Sequence, residues 1–239
     1  LPSPKIIMQA LAEVKPTLVI AVPLIIEKIY KSKVKPVLEK AGIRFVMKLP
    51  GLEQVVMNKI KTELINAFGG EFVEVIIGGA AFNKEVESFF KKMEFPFTVG
   101  YGMTECAPII TYDGHKTAKL YSCGRIVPNM EMKIDSPDPQ NIPGELLVRG
   151  ANVFLGYYKN EEATKEVLED NGWFHTGDMG VIDADGYLFL RGRSKCMILG
   201  PSGQNIYPEE VEAVLDTRPY VLESLVIEDN GGLTALIYP

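Results

Sequence analysis

The chain has 239 residues, 46% hydrophobic and 23% charged, the balance of a globular protein with room for one large domain or two small ones. A net charge of -6 with no conspicuous Lys/Arg cluster argues against nucleic-acid binding through a broad basic face, although local phosphate binding stays open. Cys106, Cys123 and Cys196 are odd in number and widely spaced, which excludes a disulfide framework or a paired-cysteine zinc site and fits a reducing compartment. The longest apolar run, Leu18 to Ile26, is interrupted by Pro23 and is too short to cross a bilayer. No signal-peptide pattern is present, and the opening Leu1-Pro2-Ser3-Pro4 reads as if cut from something longer.

Taken in chain order, Leu18 to Val22 reads as a buried strand and Leu24 to Glu39 as a helix with a basic face. Leu52, Val55, Val56, Ile60, Leu64 and Phe68 recur at helical spacing, predicting an amphipathic helix that stops at Gly69-Gly70. Phe72 to Ile77 is a short apolar run that ends in glycines. Asn83 is a good N-cap for a helix with Val86, Phe89 and Phe90 facing the core. Phe95 to Val99 leads into the next loop. This alternation predicts an α/β sheet, whose ligands bind beyond the carboxyl ends of strands. After residue 110 the texture turns mostly β. Met130, Met132 and Ile134 alternate with charged residues, residues 136–141 form a loop, and Gly144 to Val148 is another strand. A short helix spans about Asn160 to Asp170, and Asp183-Ala184-Asp185-Gly186 is read as a hairpin turn, since the calcium-loop spacing is absent. From Arg191 a polar stretch reads as a linker. Pro208-Glu209-Glu210 opens a further helix, and a hairpin turns across Asp229-Asn230-Gly231-Gly232.

Four stretches carry chemistry. Gly78-Gly79-Ala80-Ala81, between strand and helix, suits a plain turn as well as a ligand wall, and lacks the Lys-Ser/Thr of a P-loop. Tyr101-Gly102-Met103-Thr104-Glu105 places a ring, a hydroxyl and a carboxylate side by side, which suit a base, a phosphate and its metal ion; a tight turn packed by Tyr101 has the same look. In Gly172-Trp173-Phe174-His175-Thr176-Gly177-Asp178, Asp178 is placed to accept from a sugar diol, with Trp173 and Phe174 packed beneath the loop. His175 has no nucleophile or metal-ligand partner at telling spacing, so a structural or supporting role outweighs general-base chemistry, and His115 has less support still. Arg191-Gly192-Arg193-Ser194-Lys195 offers donors for ribose or phosphate oxygens, or else a basic linker.

In order, these stretches together with Gly144-Glu145-Leu146-Leu147-Val148-Arg149-Gly150, Gly156-Tyr157, Gly203 and Pro208-Glu209-Glu210-Val211-Glu212 closely resemble the adenylate-forming superfamily of acyl-CoA synthetases, adenylation domains and beetle luciferases. Within it the chain is most similar to long-chain fatty acid–CoA ligases of bacterial type, a narrower likeness supported by residues 22–30. The resemblance implies an α/β class: residues 1–192 are the C-terminal portion of the large AMP-binding domain, with an α/β part (1–110) and a β-rich part (111–192). Residues 193–239 are then the truncated start of a small, mobile α+β domain. It implies that a fatty acid attacks the α-phosphate of ATP and that coenzyme A then displaces AMP.

By the same resemblance Tyr101, next to Gly102, stacks on adenine with Gly79 and Ala80 on the other side. Thr104 binds a phosphate oxygen, Glu105 holds Mg²⁺, Asp178 and Arg193 hold the ribose, Lys195 is the hinge, and Gly203 lines the route of the pantetheine arm. The implied location is cytoplasmic, with peripheral contact at the inner membrane face compatible with a fatty acid substrate. Related readings are an enzyme for another acid or for an acyl-carrier protein, or a non-catalytic nucleotide-binding module. The superfamily's Pro-Lys-Gly phosphate loop should precede Leu1 and its adenylation lysine should follow Pro239, so the chain by itself is expected not to form an acyl-adenylate.

Overall fold

The computed structural model describes residues 4–49, 51–200, 202–229 and 231–239. They group into two units, Leu1–Gly100 with Asp113–Tyr121, and Tyr101–Tyr112 with Ser122–Pro239. The first unit opens on α1 (Pro4–Val14), a helix the sequence reading passes over; the rest of that opening tetrad lies outside the described residues. A parallel sheet follows, built from β1 (Leu18–Ala21), β2 (Glu74–Ile77) and β3 (Phe97–Val99) in that spatial order. Central β2 is the buried strand, with Val75 and Ile77 fully enclosed. The expectation of a buried first strand needs correction. β1 lies at the sheet edge, Val19 is buried with Ala21 packed partly against the core, and Leu18, Ile20 and Val22 are exposed.

Parallel strands require crossovers, and helices supply them. Between β1 and β2 the single helix expected over 24–39 is broken into α2 (Pro23–Ile29), a wider π-type turn (Tyr30–Val34) and α3 (Lys35–Leu38). Pro36 explains the break. It has no N–H for an α-helical bond and its ring crowds the preceding turn, which the longer Lys35 N–H to Tyr30 O bond relieves. A short α4 (Ala41–Val46) had no legible period. In α5 (Leu52–Ala67) Met57, Ile60 and Leu64 turn inward, whereas Val55 points out, so the inner face is rotated from the predicted one. Its end is a Schellman motif: Gly69 N–H donates to Asn66 O and Gly70 N–H to Ile65 O, both glycines at positive φ. Between β2 and β3, α6 (Lys84–Lys92) is capped as expected, Asn83 Oδ1 accepting from the N–H groups of Glu85 and Val86. Its inner residue Phe90 packs against Phe95 and Phe97, with ring centroids 4.9 and 5.7 Å away.

Residues 113–121 are pinned back onto this unit by buried polar groups. Thr98 Oγ1 donates to Asp113 O at 2.6 Å, and the Glu74 carboxylate accepts from both the backbone and the ring of His115. Buried Glu87 accepts the Tyr121 N–H at 2.6 Å.

The second unit is mainly antiparallel. β4 (Tyr101–Gly102), β5 (Ile109–Tyr112) and β6 (Arg125–Ile126) form one sheet. β7 (Met130–Asp135) and β8 (Gly144–Gly150) begin a second sheet, and α7 (Glu161–Val167), shorter than expected because Leu168 already pairs with Phe174, leads to its inner strand β9 (Phe174–Ile182). The expected turn at 183–186 joins β9 to β10 (Leu188–Arg193), with Asp183 Oδ1 accepting from Asp185 and Tyr187 N–H. The strand therefore occupies Arg191–Arg193, where the sequence suggested a linker. Then come the short pair β11 (Ile198–Leu199) and β12 (Asn205–Ile206), α8 (Pro208–Leu215), and the hairpin β13 (Glu223–Asp229) and β14 (Gly232–Tyr238). Asn230 of its turn lies outside the described residues.

Burial raises the Glu87 carboxyl from its ordinary value of 4.5 to about 7, against the opposing pull of the Tyr121 N–H, Lys84 and Lys91. The folded state thus holds this proton more tightly than the unfolded chain. Its contribution to stability is complete below pH 4.5 and lost as pH rises through about 7. Glu87→Gln is expected to flatten that fall and to exceed the wild type above neutrality by on the order of 2–3 kcal/mol. Urea midpoints at acid and mildly alkaline pH measure this, and an unchanged pH slope rules Glu87 out as its source.

Candidate active site

Asp178 is the centre of the second unit's polar cluster. It is buried, as are Phe174 and Thr176 of the same strand, β9. The Tyr101 hydroxyl donates to its Oδ2 at 2.5 Å and the Arg193 Nε to its Oδ1 at 2.9 Å. Two residues far apart in sequence therefore share one carboxylate. The Asp178 charge raises the Arg193 guanidinium further, and burial, reinforced by that same charge, drives the Tyr101 phenol far above its usual range. Tyr101 thus stays a neutral donor.

Two irregularities in the sheet make the cluster possible. Opposite β8, pairing runs from Glu145 with Met179 to Leu147 with His175, so β9 accommodates extra residues around Thr176-Gly177-Asp178. Gly177 there has φ +71°. Thr176 Oγ1 donates to Leu146 O and accepts from Asp178 N–H, and Glu145 Oε1 accepts the Gly177 N–H at 3.0 Å. Opposite β10, a bulge at Arg191 moves Arg193 into register with Asp178 rather than one residue short of it. The expectation of a loop over residues 172–178 is thereby corrected: from Phe174 onward it is a bulged inner strand. Phe174 belongs to the core, whereas Trp173 lies under the cations of Lys133 and Arg149.

The Thr104–Cys106 stretch is one tight helical turn after β4. Gly102 has no substitute there, because an added Cβ would lie 2.0 Å from Pro108 O, the same carbonyl that accepts the Met103 N–H. Thr104 is exposed and Glu105 half-buried, its Oε1 accepting the Tyr157 hydroxyl at 3.0 Å. Cys106, fully buried beneath this turn, has a thiol pushed up to about 11 by burial and by the Glu105 charge. Cys123 is half-buried and Cys196 exposed. Among the described residues no group of three or more His, Cys, Asp or Glu gathers at metal-binding distance. A single carboxylate beside a hydroxyl is a hard oxygen set. It fits Mg²⁺ that keeps most of its shell as water and phosphate oxygens, and does not make an independent metal site.

The remaining expected residues belong to other elements. Gly79 and Ala80, in the first unit, are exposed just past β2, whose ladder Gly78 N–H extends by donating to Ala21 O. Lys195 is exposed in the turn after β10, and Gly203, at φ +83°, is in the exposed turn between β11 and β12. His175 bridges two carboxylates, Glu145 Oε2 and Glu169 Oε1, each at 3.0 Å, and both hold its imidazole above the usual value, Glu145 the more strongly. That is a structural setting, and it was Glu145 and Tyr157 that sequence reasoning left without a role.

Residues 1–158 match the family described as AMP-binding enzyme. The chain belongs to that family, and so to the adenylate-forming superfamily. Relatives include long-chain-fatty-acid–CoA ligase FadD15 of Mycobacterium bovis, 30% identical over 94% of this chain and 40% of its own. Another is 4-coumarate-CoA ligase 1 of Narcissus pseudonarcissus, 33% identical over 77% of this chain and 36% of its own. Among solved structures, the Bacillus subtilis o-succinylbenzoate coenzyme A synthetase with AMP superposes with a TM-score of 0.74 at 25% identity, covering 98% of this chain and 43% of that one. ATP-bound MatB of Rhodopseudomonas palustris gives 0.73 at 25% over 99% of this chain and 43% of its own. The α/β class expected from the sequence is that of these enzymes' large domain. This AMP-binding chain spans about two fifths of the length of the curated relatives FadD15 and coumarate ligase.

Gly102→Ala is expected to cost about 2 kcal/mol of stability through the clash with Pro108 O. It should also lengthen the Tyr101–Asp178 contact. Denaturation with near-ultraviolet circular dichroism of the tyrosines reads both, and a variant equal to wild type in each refutes the close-approach argument.

Proposed function

We propose that the protein at its natural length is an acid–CoA ligase that activates its acid with ATP. The observation that carries this reading is the Asp178 carboxylate shared by Tyr101 and Arg193, in a chain whose family is AMP-binding. Asp178 accepts from the ribose hydroxyls, with Arg193 as the second sugar contact. Tyr101 offers its ring to adenine. The Thr104 hydroxyl donates to a phosphate oxygen. Glu105 holds Mg²⁺, which when bound neutralises charge on the phosphates. The acid's carboxylate attacks the α-phosphorus and pyrophosphate leaves; the thiol of coenzyme A then attacks the acyl carbon and AMP leaves. Lys195, exposed in a turn directly after β10, suits a hinge between a large domain ending near residue 192 and a small one beginning at 193. Gly203 suits the path of the pantetheine arm.

A long-chain fatty acid is our choice of substrate, supported by the relatives named long-chain-fatty-acid–CoA ligases from Mycobacterium bovis and Gallus gallus. A cytoplasmic enzyme that meets its substrate at the inner membrane face accords with that choice. The coumarate ligases at similar identity make an aromatic acid the competing choice.

Calorimetry should detect AMP binding, weakened about tenfold or more by Asp178→Ala, the loss expected for hydrogen bonds to a charged group. Acid-dependent ATP–pyrophosphate exchange across short and long alkanoic acids and 4-coumaric acid then identifies the substrate. No nucleotide binding by the wild type sinks the reading, and a preference for 4-coumaric acid replaces the fatty acid.

A further inference from the structure

One short segment of chain grips residue 105 at both ends. The Glu105 backbone carbonyl accepts the Phe154 N–H at 2.8 Å, while its Oε1 accepts the Tyr157 hydroxyl. Just before Phe154, Asn152 Nδ2 donates to Cys106 O at 2.7 Å and to Ile109 O at 3.0 Å, clamping the far side of the same turn. The amide cannot be reversed, since Oδ1 would then face two carbonyl oxygens.

The segment is itself tethered. The Phe154 ring packs edge-on against Phe174 of β9 and against Tyr157, with centroids 5.4 and 4.9 Å apart. Tyr157 N–H donates to Thr164 Oγ1 at 2.9 Å, and that hydroxyl donates to Asn160 O. At Gly156 an added Cβ would lie 2.7 Å from Thr164 Cγ2, so chain and helix α7 meet without a gap. A path of direct contacts thus runs from the core aromatic Phe174 to a half-exposed carboxylate.

We propose that residues 152–157 form a strap that positions Glu105, and that Tyr157 sets the rotamer in which its carboxylate meets the cation of a metal–nucleotide complex. This rests on the role given to Glu105 above. A glutamate on an exposed turn samples many rotamers and must give that freedom up when it binds. With its backbone carbonyl and one carboxylate oxygen held, residue 105 has surrendered it beforehand. Its Oε2 has no hydrogen-bond partner among the described residues. The hydroxyl is a neutral donor to one lone pair of Oε1, so the carboxylate keeps further acceptor sites. Tyr157 is therefore a positioning residue. The ring contact with Phe154 survives in Tyr157→Phe, which removes the hydroxyl alone.

The test compares wild type and Y157F in the protein at its natural length. AMP binding needs no metal and should agree within about twofold. The Mg²⁺ concentration that half-saturates ATP binding should rise about tenfold in Y157F, in the range seen when a ligand-orienting partner is lost. Side-chain carbon NMR of labelled Glu105 provides a readout without nucleotide: its carboxyl resonance should shift in Y157F and stay put in Tyr158→Phe. If wild type binds ATP but the magnesium requirement in Y157F is unmoved, the strap has no positioning role. An unmoved Glu105 resonance overturns the contact itself. A wild type that binds no nucleotide removes the functional reading, and this proposal with it.

Discussion

The polar cluster of the second unit is arranged around a buried carboxylate that needs a partner for each of its oxygens. Asp178 has only 8% of its surface exposed, and an unpaired ion there would cost several kcal/mol. Tyr101 and Arg193 each satisfy one oxygen. That requirement dictates the rest. β9 must bulge to turn Asp178 toward Tyr101, β10 must bulge to bring Arg193 opposite it, and β4 must end in a glycine so that Tyr101 can approach. The sheet irregularities are the means by which residues from three strands converge on one group.

Around that centre, the anchoring differs from place to place. The Asp178 end is held by the sheet itself through Glu145, Thr176 and Leu146. The Glu105 end lies on a single helical turn and depends on tethers from elsewhere in the chain. Lys195 and Gly203 occupy exposed turns, the first anchored at its start by the Ser194 hydroxyl, which donates to Gly177 O.

What the sequence revealed divides along the same line. Asn83 as a cap, Gly69-Gly70 as a stop and Asp183 as a turn former act on neighbours within a few residues, so local pattern sufficed. The motif residues Tyr101, Asp178 and Arg193 were picked out by order and type, and the fold brings these three together. What stayed hidden was non-local. Thr176-Gly177-Asp178 looked like a loop because polar residues and a glycine break the period of two, yet cross-strand bonds keep it in a sheet. Asn152 and Tyr157 found partners 46 and 52 residues away, a distance no periodicity encodes. Val55 reads as inward and Met57 is passed over because both are apolar and lie at opposite edges of the apolar face, so hydropathy alone does not say which edge is buried.

The three thiols give the chain an unplanned asymmetry. Cys106 is sealed in the core with its proton held up to about 11, and Cys123 is half-covered, while Cys196 stands in the open beside Lys195. Electrophiles select thiols that are accessible and able to ionise. The protein therefore carries a native attachment point for a fluorophore or spin label next to its proposed pivot, with its most deeply buried thiol protected by the same turn that presents Glu105.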